Sequence, residues 1–170
     1  MTTVFLGLGS NQDRERNIRA ALELLRQAFG EIAVSPVFES APVVVPRDAS
    51  VASSSYFNLV VAIETALPVP ELKQILCEIE RQCGRVRAEL KAPGCPLDID
   101  LLLYGDAIGE LEGVVLPHPD VLRRAYVLLP LSLLSPQQQH PQLQKTFAEL
   151  WTAFDGSSSL LGKVVPAFFD

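Results

Sequence analysis

The order of apolar segments along the chain is the feature that most restricts its fold. Short apolar runs predict strands at residues 3–10, 32–40, 56–65 and 97–103, and apolar residues at helical spacing predict helices at residues 14–29 and 68–84. The resulting order, βαββαβ with one β-hairpin in the middle, favours a ferredoxin-like α+β fold, which is an antiparallel sheet with helices on one face. The pattern beyond residue 112 predicts that C-terminal helices follow this sheet.

Three local signals refine this prediction. Pro36 lies inside the second strand pattern and indicates an edge position or an irregularity. Pro130 lies inside a helical pattern at residues 121–134 and predicts a break there. Thr146 is a suitable N-cap for a last helix that runs to Phe154, and we expect no regular structure in the tail that follows it.

The composition restricts the classes of function. A chain of 170 residues, 48% of them hydrophobic, suits a single domain over residues 1–170. The formal net charge of −6 disfavours a nucleic-acid partner, because a polyanion would be repelled. The sequence has neither a signal-peptide pattern nor a membrane span, so we expect a cytoplasmic location and no membrane partner. We also expect a monomer, and the three cysteines, Cys77, Cys83 and Cys95, indicate neither a disulfide scaffold nor a zinc site.

Two aspartates interrupt the last predicted strand. Asp98 and Asp100 are two positions apart, so their side chains lie on the same face of the strand. Two carboxylates at this spacing repel each other unless a cation lies between them. Mg²⁺ prefers carboxylate oxygens and leaves positions open for phosphate oxygens. The pair therefore indicates either a platform for ATP and Mg²⁺, or a strand that faces solvent or lies at the edge of the sheet.

Basic side chains precede and follow this pair in the sequence: Arg85, Arg87, Lys91, His118, Arg123 and Arg124. Arginine clamps phosphate oxygens with a planar fork and stabilises the charge that moves in phosphoryl transfer. Each basic cluster alone is also compatible with a solvated loop, and a lone histidine is more often structural than catalytic. A metal pair combined with phosphate-binding groups is the more coherent interpretation. The sequence contains no P-loop motif and no G-x-G-x-x-G, so any nucleotide site is of another type.

Six stretches of the sequence together resemble the family of 6-hydroxymethyl-7,8-dihydropterin pyrophosphokinases, which are enzymes of folate synthesis. They are "GLGSN", "FESAP", "YFNLVVAIET", "IERQCGRVR", "PLDIDLLLYG" and "LPHPDVLRRAYVLLPL", and they cover roughly Val4 to Phe154. The family transfers a pyrophosphoryl group from ATP to the pterin hydroxymethyl oxygen and releases AMP. The resemblance therefore implies this activity, with ATP and a dihydropterin as substrates and Mg²⁺ as the cofactor.

The resemblance also implies roles for the catalytic and metal-binding residues. Asp98 and Asp100 match the two metal-binding aspartates of the family. Arg85 and Arg87 match two basic positions near the active site. These four residues form the expected catalytic group.

Substrate contacts follow from the resemblance in the same way. Tyr56 and Asn58 match pterin contacts, and Tyr126 stands where the family has an aromatic residue that stacks on the pterin. The expected ATP-binding residues are Glu80, Arg85, Arg87, His118 and Arg124. An aromatic face together with an amide suits a flat heterocycle that has donors and acceptors along one edge.

The chain departs from the family pattern at two places. Cys95 stands close to where the family usually has an arginine before the paired aspartates, and Lys91 or Arg47 is a candidate to replace that charge. The connection at residues 41–55 is longer than usual and rich in small residues. These departures leave open a catalytically weak or altered paralogue that binds a pterin and ATP. A ferredoxin-like RNA-binding module is disfavoured, because its sheet would need exposed aromatic residues and a basic face.

Overall fold

The computed structural model describes residues 1–41, 55–85, 94–155 and 160–164. Its elements in chain order are β1 (Thr2–Ser10), α1 (Arg14–Phe29), β2 (Ala33–Val34), β3 (Val37–Ser40), β4 (Tyr56–Thr65), α2 (Val69–Gln82), β5 (Asp98–Tyr104), β6 (Gly109–Leu111), β7 (Val114–Leu116), α3 (Asp120–Arg123), α4 (Ala125–Leu134), α5 (Phe147–Thr152) and β8 (Leu160–Val164). The residues that it describes include no helix with the length and apolarity needed to cross a membrane.

A six-stranded sheet forms the centre of the molecule. Its strand order is β5-β1-β4-β3-β8, and β2 also pairs with β4. Each of these pairings is antiparallel. β6 and β7 form a separate hairpin. Helices combined with an antiparallel sheet confirm the predicted α+β class.

Helices cover both faces of this sheet. Alternate side chains of β1 point in opposite directions, and each set packs against a different group of helices. Val4, Leu6 and Leu8 are buried in a core with α1 and α2. Phe5 is buried on the other face in a second core with α4 and α5. Burying one such side chain stabilises the fold by about 1.5–3 kcal/mol. The two cores hold β1 between β5 and β4 in the sheet, where it forms the floor of the candidate site.

The irregularity predicted at Pro36 is present. The second strand is split into β2 and β3 at Ser35 and Pro36. The Ser35 N–H donates to the Val60 carbonyl over 2.9 Å, and the Val60 N–H donates to the Ser35 hydroxyl over 2.8 Å. The serine side chain thus replaces a backbone acceptor where the strand is interrupted.

The break predicted at Pro130 is wrong. α4 continues through Pro130, and the helical segment is instead divided at Arg124, which has an extended backbone with φ −119° and ψ 120°. Proline inside a helix costs about 3 kcal/mol. Val127, Leu128 and Leu131 of α4 are buried against the sheet, and this burial offsets the cost.

The C-terminal part differs from its prediction in two respects. Thr146 caps α5 as expected, through a capping box with Glu149, but the helix ends at Thr152. The tail was expected to be irregular, and instead β8 pairs with β3 at the edge of the sheet. Pairing at an edge needs only free backbone groups, so it leaves no clear pattern in the sequence.

Candidate active site

A cavity of about 400 Å³ opens where β1, β4 and β5 face the start of α3 and α4. Six of the residues that the sequence predicted for the site line it: Tyr56, Asn58, Arg85, Asp98, Asp100 and Tyr126. They come from the two strands β4 and β5, the helix α4 and the segment just after α2, so the fold brings together residues up to 70 positions apart in sequence. The geometry groups them into an aspartate side and an aromatic side.

The floor of the cavity includes two glycines of β1, Gly7 and Gly9. Gly9 of β1 pairs with Asn58 on one side and Asp98 on the other, and Gly7 pairs with Asp100. A Cβ atom at Gly9 would lie 3.2 Å from Asn58 Oδ1 and 3.7 Å from Tyr56. The glycines therefore keep the space open between the two sides.

Asp98 and Asp100 form the aspartate side. Both point to the cavity, whereas Ile99 and Leu101 between and after them are buried in the opposite core. Burial, followed by the negative charges of Asp98 and Asp120, raises the pKa of Asp100 from 3.8 to about 7. The two carboxylates thus offer hard oxygen ligands in a place where negative charge is in excess. This arrangement fits Mg²⁺.

Arg85 connects this side to α2. Its Nη1 atom donates to Asp98 Oδ1 over 2.6 Å, to Glu80 Oε1 over 3.0 Å and to the Leu97 carbonyl over 3.3 Å. Glu80 Oε1 also accepts from the Ile99 N–H over 2.7 Å. The Glu80 side chain is only 14% exposed, and burial raises its pKa. Glu80 therefore lies behind Arg85 and joins α2 to β5, and its expected contact with ATP stays a prediction.

Tyr56, Asn58 and Tyr126 form the aromatic side. Asn58 is buried, and its amide donates to the Ser40 hydroxyl over 2.5 Å. Burial is the main cause that raises the pKa of both tyrosines. Both phenols therefore stay protonated at neutral pH and are available as hydrogen-bond donors.

His118 and Arg124 lie beside the cavity but do not line it. Asp120 lies between them in the sequence and does line it. The Asp120 N–H donates to His118 Nδ1 over 3.0 Å. In the neutral ring the proton is then on Nε2, which is left to act as a donor. The Asp120 carboxylate lies 3.8 Å from Arg124 Nε.

Cys95 also lines the cavity, and the turn after β1 holds it there. The Cys95 N–H donates to Asn11 Oδ1 over 2.5 Å, and the Asn11 N–H donates to the Cys95 carbonyl over 3.0 Å. Burial, and then the nearby Asp98, raises the pKa of the thiol. Cys95 thus presents a neutral group to the cavity.

Arg87 and the candidate replacements Lys91 and Arg47 lie outside the residues that the structure describes. Conversely, the sequence reasoning missed Gly7, Gly9, Ser40 and Asp120. Asp120 stood inside the quoted motif "LPHPDVLRRAY", next to residues that were selected.

Comparison with known proteins identifies one family. The family described as 7,8-dihydro-6-hydroxymethylpterin-pyrophosphokinase (HPPK) matches residues 5–136. The chain is 35% identical over 136 residues to the 2-amino-4-hydroxy-6-hydroxymethyldihydropteridine pyrophosphokinase of Bacillus subtilis, and the match covers 78% of each chain. It is 31% identical over 172 residues to the folic acid synthesis protein fol1 of Schizosaccharomyces pombe, covering 93% of this chain and 23% of that protein.

Solved structures share the fold. A crystal structure of an HPPK-DHPS in complex with substrates matches with a TM-score of 0.69 at 15% identity, over 91% of this chain and 45% of that one. A Plasmodium falciparum HPPK-DHPS triple mutant also matches with a TM-score of 0.69, at 17% identity, over 90% of this chain and 43% of that one. The chain therefore spans about a quarter of the fol1 protein and less than half of these structural neighbours.

Proposed function

Because the chain belongs to the 7,8-dihydro-6-hydroxymethylpterin-pyrophosphokinase family, we propose that it transfers a pyrophosphoryl group from ATP to the hydroxymethyl oxygen of 6-hydroxymethyl-7,8-dihydropterin and releases AMP. One observation carries the proposal. A single cavity has an aspartate pair with an arginine on one side and an amide with two tyrosines on the other. The first side suits a metal-bound phosphate chain, and the second suits a flat heterocycle.

The pterin occupies the aromatic side in this proposal. Tyr126 stacks on the ring, and Tyr56 and Asn58 contact its edge. Since the Asn58 amide nitrogen is already bonded to Ser40, its oxygen is the atom that accepts from the ring's N–H groups. The glycine floor leaves room for the ring to lie against the backbone of β1.

ATP occupies the aspartate side. Asp98 and Asp100 would hold Mg²⁺, which when bound would neutralise phosphate charge. Arg85 already contacts Asp98, so its remaining N–H groups lie close to the same phosphates. Arg87, His118, Arg124 and Glu80 complete the proposed ATP site.

The chain contributes positioning and charge rather than covalent chemistry. The hydroxymethyl oxygen attacks the β-phosphorus, the bond from that phosphorus to the α,β-bridging oxygen breaks, and AMP leaves with the electron pair. The guanidinium groups stabilise the charge that develops on the departing phosphate. The hydroxyl proton passes to solvent or to a phosphate oxygen.

The fold and the setting of the enzyme belong to the same proposal. The strand order β5-β1-β4-β3, antiparallel throughout, supports the ferredoxin-like arrangement, with β2 and β3 together as its second strand. We propose one domain over residues 1–170 that acts as a cytoplasmic monomer without a nucleic-acid partner.

The test is to incubate the protein with ATP, Mg²⁺ and 6-hydroxymethyl-7,8-dihydropterin and to follow AMP and ADP separately. AMP that appears only when the pterin is present supports the proposal. ADP in its place overturns it and indicates an ordinary kinase or ATPase. Binding of both substrates by calorimetry without any AMP identifies the altered paralogue, which Cys95 in the cavity favours as the second candidate. Tight binding of short RNA would instead indicate the RNA-binding class.

A further inference from the structure

Asp120 connects the two predicted nucleotide-binding residues that lie beside the cavity. Its N–H donates to His118 Nδ1 over 3.0 Å, and its carbonyl accepts from the Arg124 N–H over 2.9 Å. Its carboxylate lies 3.8 Å from Arg124 Nε. Of these three residues, Asp120 is the one that lines the cavity.

Arg124 has a donor without a partner. Its Nε atom is inaccessible to solvent and has no hydrogen-bond acceptor among the described residues, although the side chain as a whole is 43% exposed. A buried N–H group without an acceptor is costly. The Asp120 carboxylate needs to move about 1 Å closer to reach hydrogen-bond distance. A bond through Nε leaves the outer N–H groups of the guanidinium free for a phosphate.

A direct role of Asp120 as a metal ligand is a weaker explanation. Among the residues that the structure describes, no group of three or more carboxylate, histidine or cysteine side chains is arranged to hold a metal ion. Asp120 nevertheless faces the site, since its charge, after burial, contributes to raising the pKa of Tyr126. Its carboxylate therefore lies close to Tyr126 at the cavity.

We propose that Asp120 is a positioning residue, whose carboxylate holds Arg124 through Nε while its N–H holds His118 with Nε2–H available, so that both present donors to the phosphates of ATP. The proposal rests on the proposed function. Asp120 is itself negative and would repel ATP if it were unpaired, so its pairing with Arg124 has two effects. It orients the guanidinium and it lowers the repulsion.

The test combines Asp120→Asn with Arg124→Ala in a double-mutant cycle. In the parent protein, Asp120→Asn is expected to lower kcat for AMP release about tenfold, or about 1.4 kcal/mol of barrier. The KM for ATP should stay within about twofold, because loss of orientation and loss of repulsion oppose each other. In the Arg124→Ala background, Asp120→Asn should cause no further loss of kcat, and the KM for ATP should fall because the unpaired negative charge is removed. Asp106→Asn, at an exposed turn at the other end of β5, is the matched control and should leave kcat unchanged.

Two outcomes overturn the proposal. One is a tenfold loss from Asp120→Asn that persists when Arg124 is already alanine, particularly with a changed Mg²⁺ dependence, since the carboxylate would then act on the metal. The other is an unchanged kcat in Asp120→Asn. Asp120→Glu, which keeps the charge, should recover part of the rate if the variant is folded.

A second measurement does not depend on activity. The Arg124 Nε–H resonance in a ¹⁵N NMR spectrum should exchange with water slowly in the parent protein and quickly in Asp120→Asn. Equal exchange rates in the two proteins overturn the pairing even where a variant has lost activity or stability. If the parent releases no AMP, the proposed function fails, while this exchange measurement still decides whether Asp120 holds Arg124.

Discussion

The Asn58 amide donates a hydrogen bond to the Ser40 hydroxyl over 2.5 Å, and both side chains are buried at the edge of the cavity. The amide nitrogen is directed to Ser40, and the amide oxygen lies on the side of Gly9, where an added Cβ atom would be 3.2 Å from it. The Asn58 oxygen therefore faces the cavity. In the proposed function, this relationship between β3 and β4 determines which edge of the pterin the site accepts.

Ser40→Ala removes the partner that fixes this amide. We expect the KM for the pterin to rise about 5- to 10-fold, which corresponds to about 1 kcal/mol for one hydrogen bond. The KM for ATP should not change, because Ser40 is on the aromatic side. Steady-state kinetics with each substrate varied in turn gives both constants. Ser132→Ala, which removes a buried hydroxyl bonded to Leu129 within α4, is the control, and an equal effect there would contradict the assignment.

Gly9→Ala adds a methyl group to the floor of the cavity. Its Cβ would lie 3.2 Å from Asn58 Oδ1 and would restrict the space beside Tyr56. We expect pterin affinity, measured by calorimetry with a pterin analogue, to fall at least tenfold. Gly7→Ala is the comparison, since the added Cβ there meets only the flexible end of Leu102 at 3.3 Å, and it should cost less than about threefold. The reverse order of the two effects would show that the pterin does not lie on Gly9.

Asp100 makes the stability of the ligand-free protein depend on pH. Its pKa is raised from 3.8 to about 7, chiefly by burial and then by Asp98. Between about pH 4 and pH 7 the folded protein therefore binds more protons than the unfolded chain, so stability falls as the pH rises through this range. Asp100→Asn removes this loss and should stabilise the protein at pH 8 by about 1–3 kcal/mol.

Chemical denaturation of both proteins at pH 4 and pH 8 measures the effect. The gain from Asp100→Asn should be present at pH 8 and absent near pH 4. Added Mg²⁺ should stabilise the parent at pH 8 and have less effect on Asp100→Asn, because one of the carboxylate ligands is missing. A gain that is the same at both pH values would mean that the charge of Asp100 is not its cause.

Strong periodicity explains the part of the fold that the sequence predicted well. The helix expected at residues 14–29 and the strand expected at residues 56–65 match α1 and β4 at both ends. In α1 the regular apolar spacing coincides with burial on one face, and in β4 a continuous apolar run is buried on both faces of the sheet. The aspartate pair was predicted in a similar way, because two side chains that are two positions apart on a strand lie on the same face.

Features that depend on tertiary contacts were not predictable in this way. β8 is held by backbone pairing at the edge of β3, and α4 continues through Pro130 because its apolar face is buried. In the sequence Glu80 resembles an exposed helix residue. In the structure it is held by the Ile99 N–H of β5, which donates a hydrogen bond to its carboxylate. Asp120 is one acidic residue at the start of the short helix α3, and its position at the cavity follows from how α3 packs.

The last prediction concerns Cys95, which lines the cavity beside Arg85 and Asp98. Its backbone is held by two hydrogen bonds with Asn11, so Cys95→Arg changes the side chain without releasing the turn. Loss of one preorganised donor typically costs on the order of 10²–10³ in rate. If no other basic group fills this role, the new guanidinium should speed single-turnover AMP release at least tenfold, with little change in nucleotide affinity. Cys77→Arg places the same charge on the exposed surface of α2 and is the matched control. A change of less than about twofold in Cys95→Arg corresponds to well under 1 kcal/mol of barrier. It would mean that another basic group, with Lys91 and Arg47 as the candidates, already supplies the charge. In that case Lys91→Ala or Arg47→Ala should show the large loss in the rate of AMP release.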